Sequence, residues 1–271
     1  MKYIIKFLNL GDIMRIVVKV GTSSLIEQAG VLNVKHVQNL CEVLSSLKSE
    51  GNEVILVSSG AIGMGLVKLG LKEKPQDIPT RQAVAAIGQC ELMYCYDKIF
   101  ADYGHMIAQI LITGDDFSHK DRYLNFSNTI DRLLHLDILP IINENDTIAT
   151  EEIKVGDNDT LSAYVAKGID ADLLVILSDI DGLYTGDPKT QKDARLISVV
   201  EKLTPEILAL GKGAGSKFGT GGMKTKLEAA KILNDTNCNM VIMNSNDPFK
   251  IKDCVKNKSV GTLFKANKNV N

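Results

Sequence analysis

The sequence predicts an α/β protein: a three-layer α/β/α sandwich with a mainly parallel central sheet. Three observations predict it. Apolar, β-branched runs alternate along the chain with longer segments of helical period, the pattern of strands joined by crossover helices. Several runs, such as Val54 to Ser58 and Leu173 to Leu177, are apolar almost throughout, as strands covered on both faces must be. Finally, 271 residues with 45% hydrophobic content can bury a large core without disulfide or metal staples.

The elements follow in order. Residues 1–13 are faintly signal-like, but their apolar part is interrupted and no small-residue cleavage site follows. They read as an N-terminal extension, because Met14 stands directly before the first convincing strand. Strands are expected at Ile16 to Val20, Val54 to Ser58, Met106 to Ile112, Ile138 to Ile142, Leu173 to Leu177 and Met240 to Met243. Helices are expected at Val34 to Ser49, Ala61 to Leu69, Thr80 to Tyr103, Arg122 to Leu136, Thr160 to Gly168 and Met223 to Asn234. Asn33 is placed to cap the first helix and Gly51 to stop it. Alternation over Thr147 to Val155 reads as a hairpin. The stretch Asp181 to Leu203, rich in Gly, Asp, Pro and Lys, reads as the seam between two halves that share one sheet.

Charge and residue usage exclude several classes. The net charge is −2, with 31 basic and 33 acidic residues mixed along the chain, so no basic stripe marks a nucleic-acid binder. The five cysteines form no C-x-x-C pair and the four histidines no zinc spacing. A reducing cytoplasm fits such unpaired thiols. Nothing approaches the ~18 apolar residues of a membrane-spanning helix.

Five segments carry chemistry. Val18-Lys19-Val20-Gly21-Thr22-Ser23-Ser24 ends an apolar strand in a lysine, a glycine and three hydroxyls, which suits a polyphosphate but also an ordinary turn. Val57-Ser58-Ser59-Gly60-Ala61-Ile62-Gly63 leads from strand to helix, offering either an anion-binding helix start or a simple capped turn. Ile142-Asn143-Glu144-Asn145-Asp146-Thr147 and Gly156-Asp157-Asn158-Asp159-Thr160 are clusters of carboxylates and amides, costly to bury unless a ligand or partner satisfies them. Calcium-like or solvated turns are the alternative, and the EF-hand spacing is not met. The fourth segment is Leu177-Ser178-Asp179-Ile180-Asp181-Gly182-Leu183-Tyr184-Thr185-Gly186-Asp187-Pro188. In the fifth, Gly211 to Lys226, the string Gly219-Thr220-Gly221-Gly222-Met223-Lys224-Thr225-Lys226 leads from a loop straight into a helix, an anion cradle without a Walker A string.

Taken together and in this order, the five segments resemble the amino acid kinase family over Met14 to about Phe264. Lys19-Val20-Gly21-Thr22-Ser23 differs from the Lys-Phe-Gly-Gly-Thr pattern of aspartokinases. The remaining strings are most similar to the members that phosphorylate glutamate. The resemblance implies one kinase domain over residues 14–271, its N-terminal half binding glutamate and its C-terminal half the nucleotide. It implies the kinase core without the C-terminal PUA domain into which many members continue, so regulation through that domain is not implied. Proline feedback near the glutamate site is compatible with it.

The implied reaction converts ATP and L-glutamate to ADP and L-glutamyl 5-phosphate, the first step of proline synthesis, with Mg²⁺ carried on the nucleotide. Lys19 and Lys226 match the two phosphate lysines, with Asp159 holding their ammonium groups. Ser59, Asp146 and Asn158 match glutamate-binding positions, the Asp146 carboxylate suiting the substrate's ammonium group. Lys19, Ser178, Asp179, Thr220, Gly221, Gly222, Met223, Lys224, Thr225 and Lys226 match the nucleotide site. A homodimer or tetramer, and association with glutamyl phosphate reductase, are implied as partners; nucleic acid and membrane are not. Rival readings are an acetylglutamate or uridylate kinase of the same fold, and a non-catalytic nucleotide or amino-acid sensor.

Overall fold

The computed structural model describes residues 13–27, 31–149, 158–212 and 222–267. The extension expected at residues 1–13 lies outside them, apart from Ile13.

Strand β1 (Arg15–Lys19) is buried along almost its whole length because it lies inside the sheet. It pairs in parallel with β2 (Glu53–Val57) on one side and β5 (Leu173–Ser178) on the other. Beyond β2 come β4 (Leu139–Glu144) and β3 (Ile107–Ile112); beyond β5 come β7 (Asn239–Asn244), β8 (Thr262–Phe264) and β6 (Val199–Val200). The order is β3-β4-β2-β1-β5-β7-β8-β6, and β7 with β8 is the antiparallel pair.

Successive strand residues point to opposite faces, so the sheet carries two cores. Val18, Leu56 and Val175 pack with Leu40, Leu44 and Leu47 of α2 (Val34–Ser49) and with Tyr96 and Phe100 of α4 (Ile78–Asp102). On the other face Val17, Ile55 and Ile176 pack with Ile130 of α5 (Lys120–His135), Leu161 of α6 (Asn158–Gly168) and Ala229 of α8 (Met223–Leu233). The result is the expected three-layer sandwich with a mainly parallel sheet.

All six expected strands and six expected helices are present, and α2 and α3 (Ala61–Leu69) keep the expected bounds. Asn33 accepts from the His36 N–H at 3.1 Å, and Gly51, at φ +94°, follows the helix end. Helix α4 begins two residues earlier than expected because Asp77 accepts from the Thr80 N–H and Pro79 sits in the first turn. The elements that sequence reading missed are short: α1 (Thr22–Leu25), α7 (Pro205–Ala209), α9 (Ile251–Val255), β6, β8 and the 3-10 turns Gly114–Ser118, Leu210–Lys212 and Pro248–Lys250. None is long enough to show a period.

Residues 146–148 form a turn, and the rest of the expected Thr147 to Val155 hairpin lies, after Ala149, outside the described residues. The chain crosses from one flank of the sheet to the other between β4 and β5, ahead of the expected seam at Asp181 to Leu203. That stretch instead closes on itself through a Tyr184–Leu196 bridge and is tied to the outer flank by the Leu183 N–H, which donates to Thr262 Oγ1 of β8 at 2.8 Å, and by β6, which pairs with β8.

Helices α3 and α4 meet backbone to backbone. A Cβ on Gly88 would lie 1.8 Å from the Ala61 carbonyl oxygen, and one on Gly65 would lie 2.0 Å from the Val84 carbonyl oxygen. Gly88→Ala must push the helices apart, at an expected cost of about 1–3 kcal/mol. A lowered urea midpoint at unchanged slope is the readout; an unmoved midpoint would show that the crossing has slack.

Candidate active site

The chain leaves β1 toward β2 on one side and returns beside it as β5 on the other. At such a switch in strand order a crevice opens at the carboxyl ends of the strands. Lys19 is the last residue of β1 and is 4% exposed. Its Nζ lies 2.6 Å from Oδ1 of Asp159, a fully buried carboxylate in the first turn of α6. Oδ2 of the same carboxylate lies 3.0 Å from Nζ of Lys226, itself 4% exposed in the first turn of α8. The Thr225 hydroxyl is 3.0 Å from Asp159 Oδ2 and 2.8 Å from the Gly222 carbonyl. Burial acts to raise the Asp159 pKa, but the charges of Lys19 and Lys226 outweigh it and hold the carboxyl well below the usual range.

A second cluster adjoins this one through the Asn158–Asp159 peptide. Strand β2 is followed by Ser58 and Ser59, then by Gly60 at φ +97°, a conformation that turns the chain into α3 and that side chains resist. Asn158 Nδ2 lies 2.7 Å from the Ser58 carbonyl, 2.8 Å from Ser59 Oγ and 2.9 Å from Asn143 Oδ1. Asn143, in β4, accepts from the Glu144 N–H at 2.8 Å and donates through Nδ2 to Gln89 Oε1 at 2.8 Å. The Ser58 hydroxyl is 2.9 Å from the hydroxyl of Tyr96, which is fully buried in α4.

The structure therefore brings Lys19, Asp159, Thr225 and Lys226 together, and Ser59 with Asn158. Asp146, half-buried, stands in the turn just after β4. Ser178 ends β5, beside β1, and its hydroxyl donates to the exposed Asp179 at 3.2 Å. Gly222 precedes α8, Met223 is buried and Lys224 is exposed. Thr220 and Gly221 lie outside the described residues. Sequence reading did not single out Asn143, Gln89 or Tyr96. Asn143 belongs to a polar string that stands out as a whole, whereas Gln89 and Tyr96 sit in a helix without a motif and only tertiary contact reveals them.

The molecule is thus a doubly wound sandwich with two lysines converging on one buried carboxylate at the strand ends. The amino acid kinase family model matches residues 14–244. The chain belongs to the amino acid kinase family. Its relatives include a protein named glutamate 5-kinase from Clostridium tetani, 51% identical and aligned over 95% of this chain and 96% of the relative. A glutamate 5-kinase from Listeria monocytogenes is 49% identical over 96% of each chain. One from Caldanaerobacter subterraneus is 50% identical, with 94% of this chain matching 69% of a longer relative. Among solved structures, carbamate kinase from Giardia lamblia bound to AMP-PNP matches 95% of this chain and 100% of its own (TM-score 0.68, 18% identity). Isopentenyl phosphate kinase from T. acidophilum matches 93% and 100% (TM-score 0.64, 17% identity), a likeness of fold.

No helix among the described residues is long and apolar enough to cross a membrane.

Proposed function

We propose that this chain is a glutamate 5-kinase, transferring the γ-phosphoryl group of ATP to the side-chain carboxylate of L-glutamate. An oxygen of that carboxylate attacks the γ-phosphorus, forming the acyl phosphate bond. The bond from phosphorus to the bridging oxygen breaks, and its electron pair leaves on ADP. A glutamate side chain, with a reference pKa of ~4.3, is already ionised at neutral pH, so no general base is required. Catalysis is then alignment plus positive charge along the in-line path.

The observation that carries the reading is the Asp159 carboxylate gripping Lys19 and Lys226 by its two oxygens. In this reading it steers both ammonium groups toward the transferring phosphoryl. Both oxygens already face an ammonium group, so the carboxylate is poorly placed to hold a cation; Mg²⁺ is carried by the nucleotide's phosphates and supplies charge neutralisation there. Glutamate is held on the N-terminal side by Ser59, Asp146 and Asn158. The nucleotide is held on the C-terminal side by Ser178, Asp179 and residues 220–226. Self-association into a dimer or tetramer, a cytoplasmic setting and hand-over of the acyl phosphate to a reductase belong to the same reading. For self-association, β3 ends the sheet on its side and Leu111 on it stays exposed.

Hydroxylamine trapping tests the reaction, because an acyl phosphate gives a hydroxamate of its parent acid. ATP-dependent hydroxamate from glutamate is expected. Hydroxamate only from acetylglutamate, or ADP release only with a nucleoside monophosphate, would overturn the substrate, and ligand binding without ADP release would mark a sensor. Asp146→Ala is expected to raise the glutamate KM about 10-fold or more with the ATP KM unchanged. An unchanged glutamate KM removes Asp146 from the substrate site.

A further inference from the structure

The amides of Gln89, Asn143 and Asn158 form a chain whose polarity is fixed by the backbone. An amide side chain is nearly symmetric in shape, so only its hydrogen bonds decide which end is oxygen. The Glu144 N–H donates to Asn143, which makes the contacted atom Oδ1. The Ser58 carbonyl can only accept, which makes the contacted atom of Asn158 Nδ2. These two assignments agree, since Asn158 Nδ2 then donates to Asn143 Oδ1. Asn143 must turn its NH₂ to Gln89, and Gln89 must answer with Oε1.

Two polar atoms are left over. Among the described residues, no hydrogen-bond partner meets Gln89 Nε2, a donor, or Asn158 Oδ1, an acceptor. Both residues are only 8% exposed. Neither atom is among the polar atoms that are at once sealed from solvent and unpartnered, so each keeps some contact with solvent. Dry surroundings with one donor and one acceptor, two hydrogen bonds apart along the chain, favour a ligand offering the opposite pair.

We propose that Gln89 is a specificity-determining residue whose Nε2 donates to the α-carboxylate of the amino-acid substrate, while Asn158 Oδ1 accepts from the ammonium group on the same carbon. The inference rests on the glutamate reading above and adds the reason why a free amino acid is chosen. The side-chain carboxylate that reacts stays with the lysines, next door through Asp159. Gln89 touches the end of the substrate that does not react, so its removal weakens binding more than turnover.

The test pairs variants with a substrate that lacks the α-carboxylate, 4-aminobutanoate. Wild type is expected to prefer glutamate over it in kcat/KM. Gln89→Leu is expected to shrink that preference by about 10- to 100-fold, the range for a hydrogen bond to a charged group. Gln89→Glu keeps an oxygen for Asn143 Nδ2 but puts a negative charge where the donor was. It is expected to raise the glutamate KM at least as far and to leave the ATP KM within about twofold. Equal losses on both substrates, or an unchanged glutamate KM in Gln89→Glu, overturn the inference alone. No hydroxamate from glutamate with the wild-type protein overturns the glutamate reading and the inference with it.

Discussion

Lys226→Met is expected to lower kcat by about 10²- to 10³-fold while changing the KM for ATP by less than about threefold. Methionine is unbranched and fills similar space, so the loss is one of charge. Negative charge on the transferring phosphoryl oxygens and the leaving oxygen is redistributed as the reaction proceeds, and a buried ammonium held in place by Asp159 stabilises it without reorganising. Bound ATP has other contacts, so its affinity depends less on this one group. Steady-state kinetics with ATP varied, together with nucleotide binding at equilibrium, separate the two effects. Equal losses in kcat and in affinity would assign Lys226 to ground-state binding.

Asp159→Asn is expected to cost more in stability than any other single change at the site, about 3–5 kcal/mol. The substitution leaves Lys19 and Lys226, each 4% exposed, close together without the carboxylate between them. The penalty is pH-dependent with a definite sign. The folded-state pKa of Asp159 is depressed by the two lysines against the opposing pull of burial. Its contribution is therefore fully present above the unfolded carboxyl value of ~3.9 and fades as pH falls below that toward the folded value. Urea unfolding of wild type and variant should show a gap that is constant from neutral pH down to about pH 4 and narrows below it. A gap under about 1 kcal/mol at neutral pH would show that the lysines do not depend on this carboxylate.

The fold was legible where length allowed a period to be seen. The 16 residues of α2 carry their stripe, their Asn33 cap and their Gly51 stop in plain view. By contrast β8 has three residues and β6 two, and they are placed by pairing with each other and with β7. The flank change between β4 and β5 was not legible, because a polar, glycine-rich stretch such as 181–203 looks like a boundary whether or not the sheet divides there. At the site, Lys19, Asp159 and Lys226 stand in glycine-rich or acidic strings that no packing argument explains, so the strings drew attention. Gln89 stands among Ala85, Ile87 and Cys90 on a helix, and nothing local distinguishes it from a surface glutamine. Its meaning comes from Asn143, far along the chain.

The interior position of β1 governs how the protein is made. Among the described strands β1 leaves the ribosome ahead of the others, and β2 soon covers one of its edges. The other edge, with Ile16, Val17 and Val18 alongside, waits until Leu173 and the rest of β5 have been synthesised. Throughout that interval the nascent chain displays an apolar ribbon with unpaired amides and carbonyls, ready to join the same ribbon on a neighbouring polysome product. Shielding by a chaperone is needed most while the middle of the chain is being translated, and fragments that end before β5 are the ones bound for aggregation.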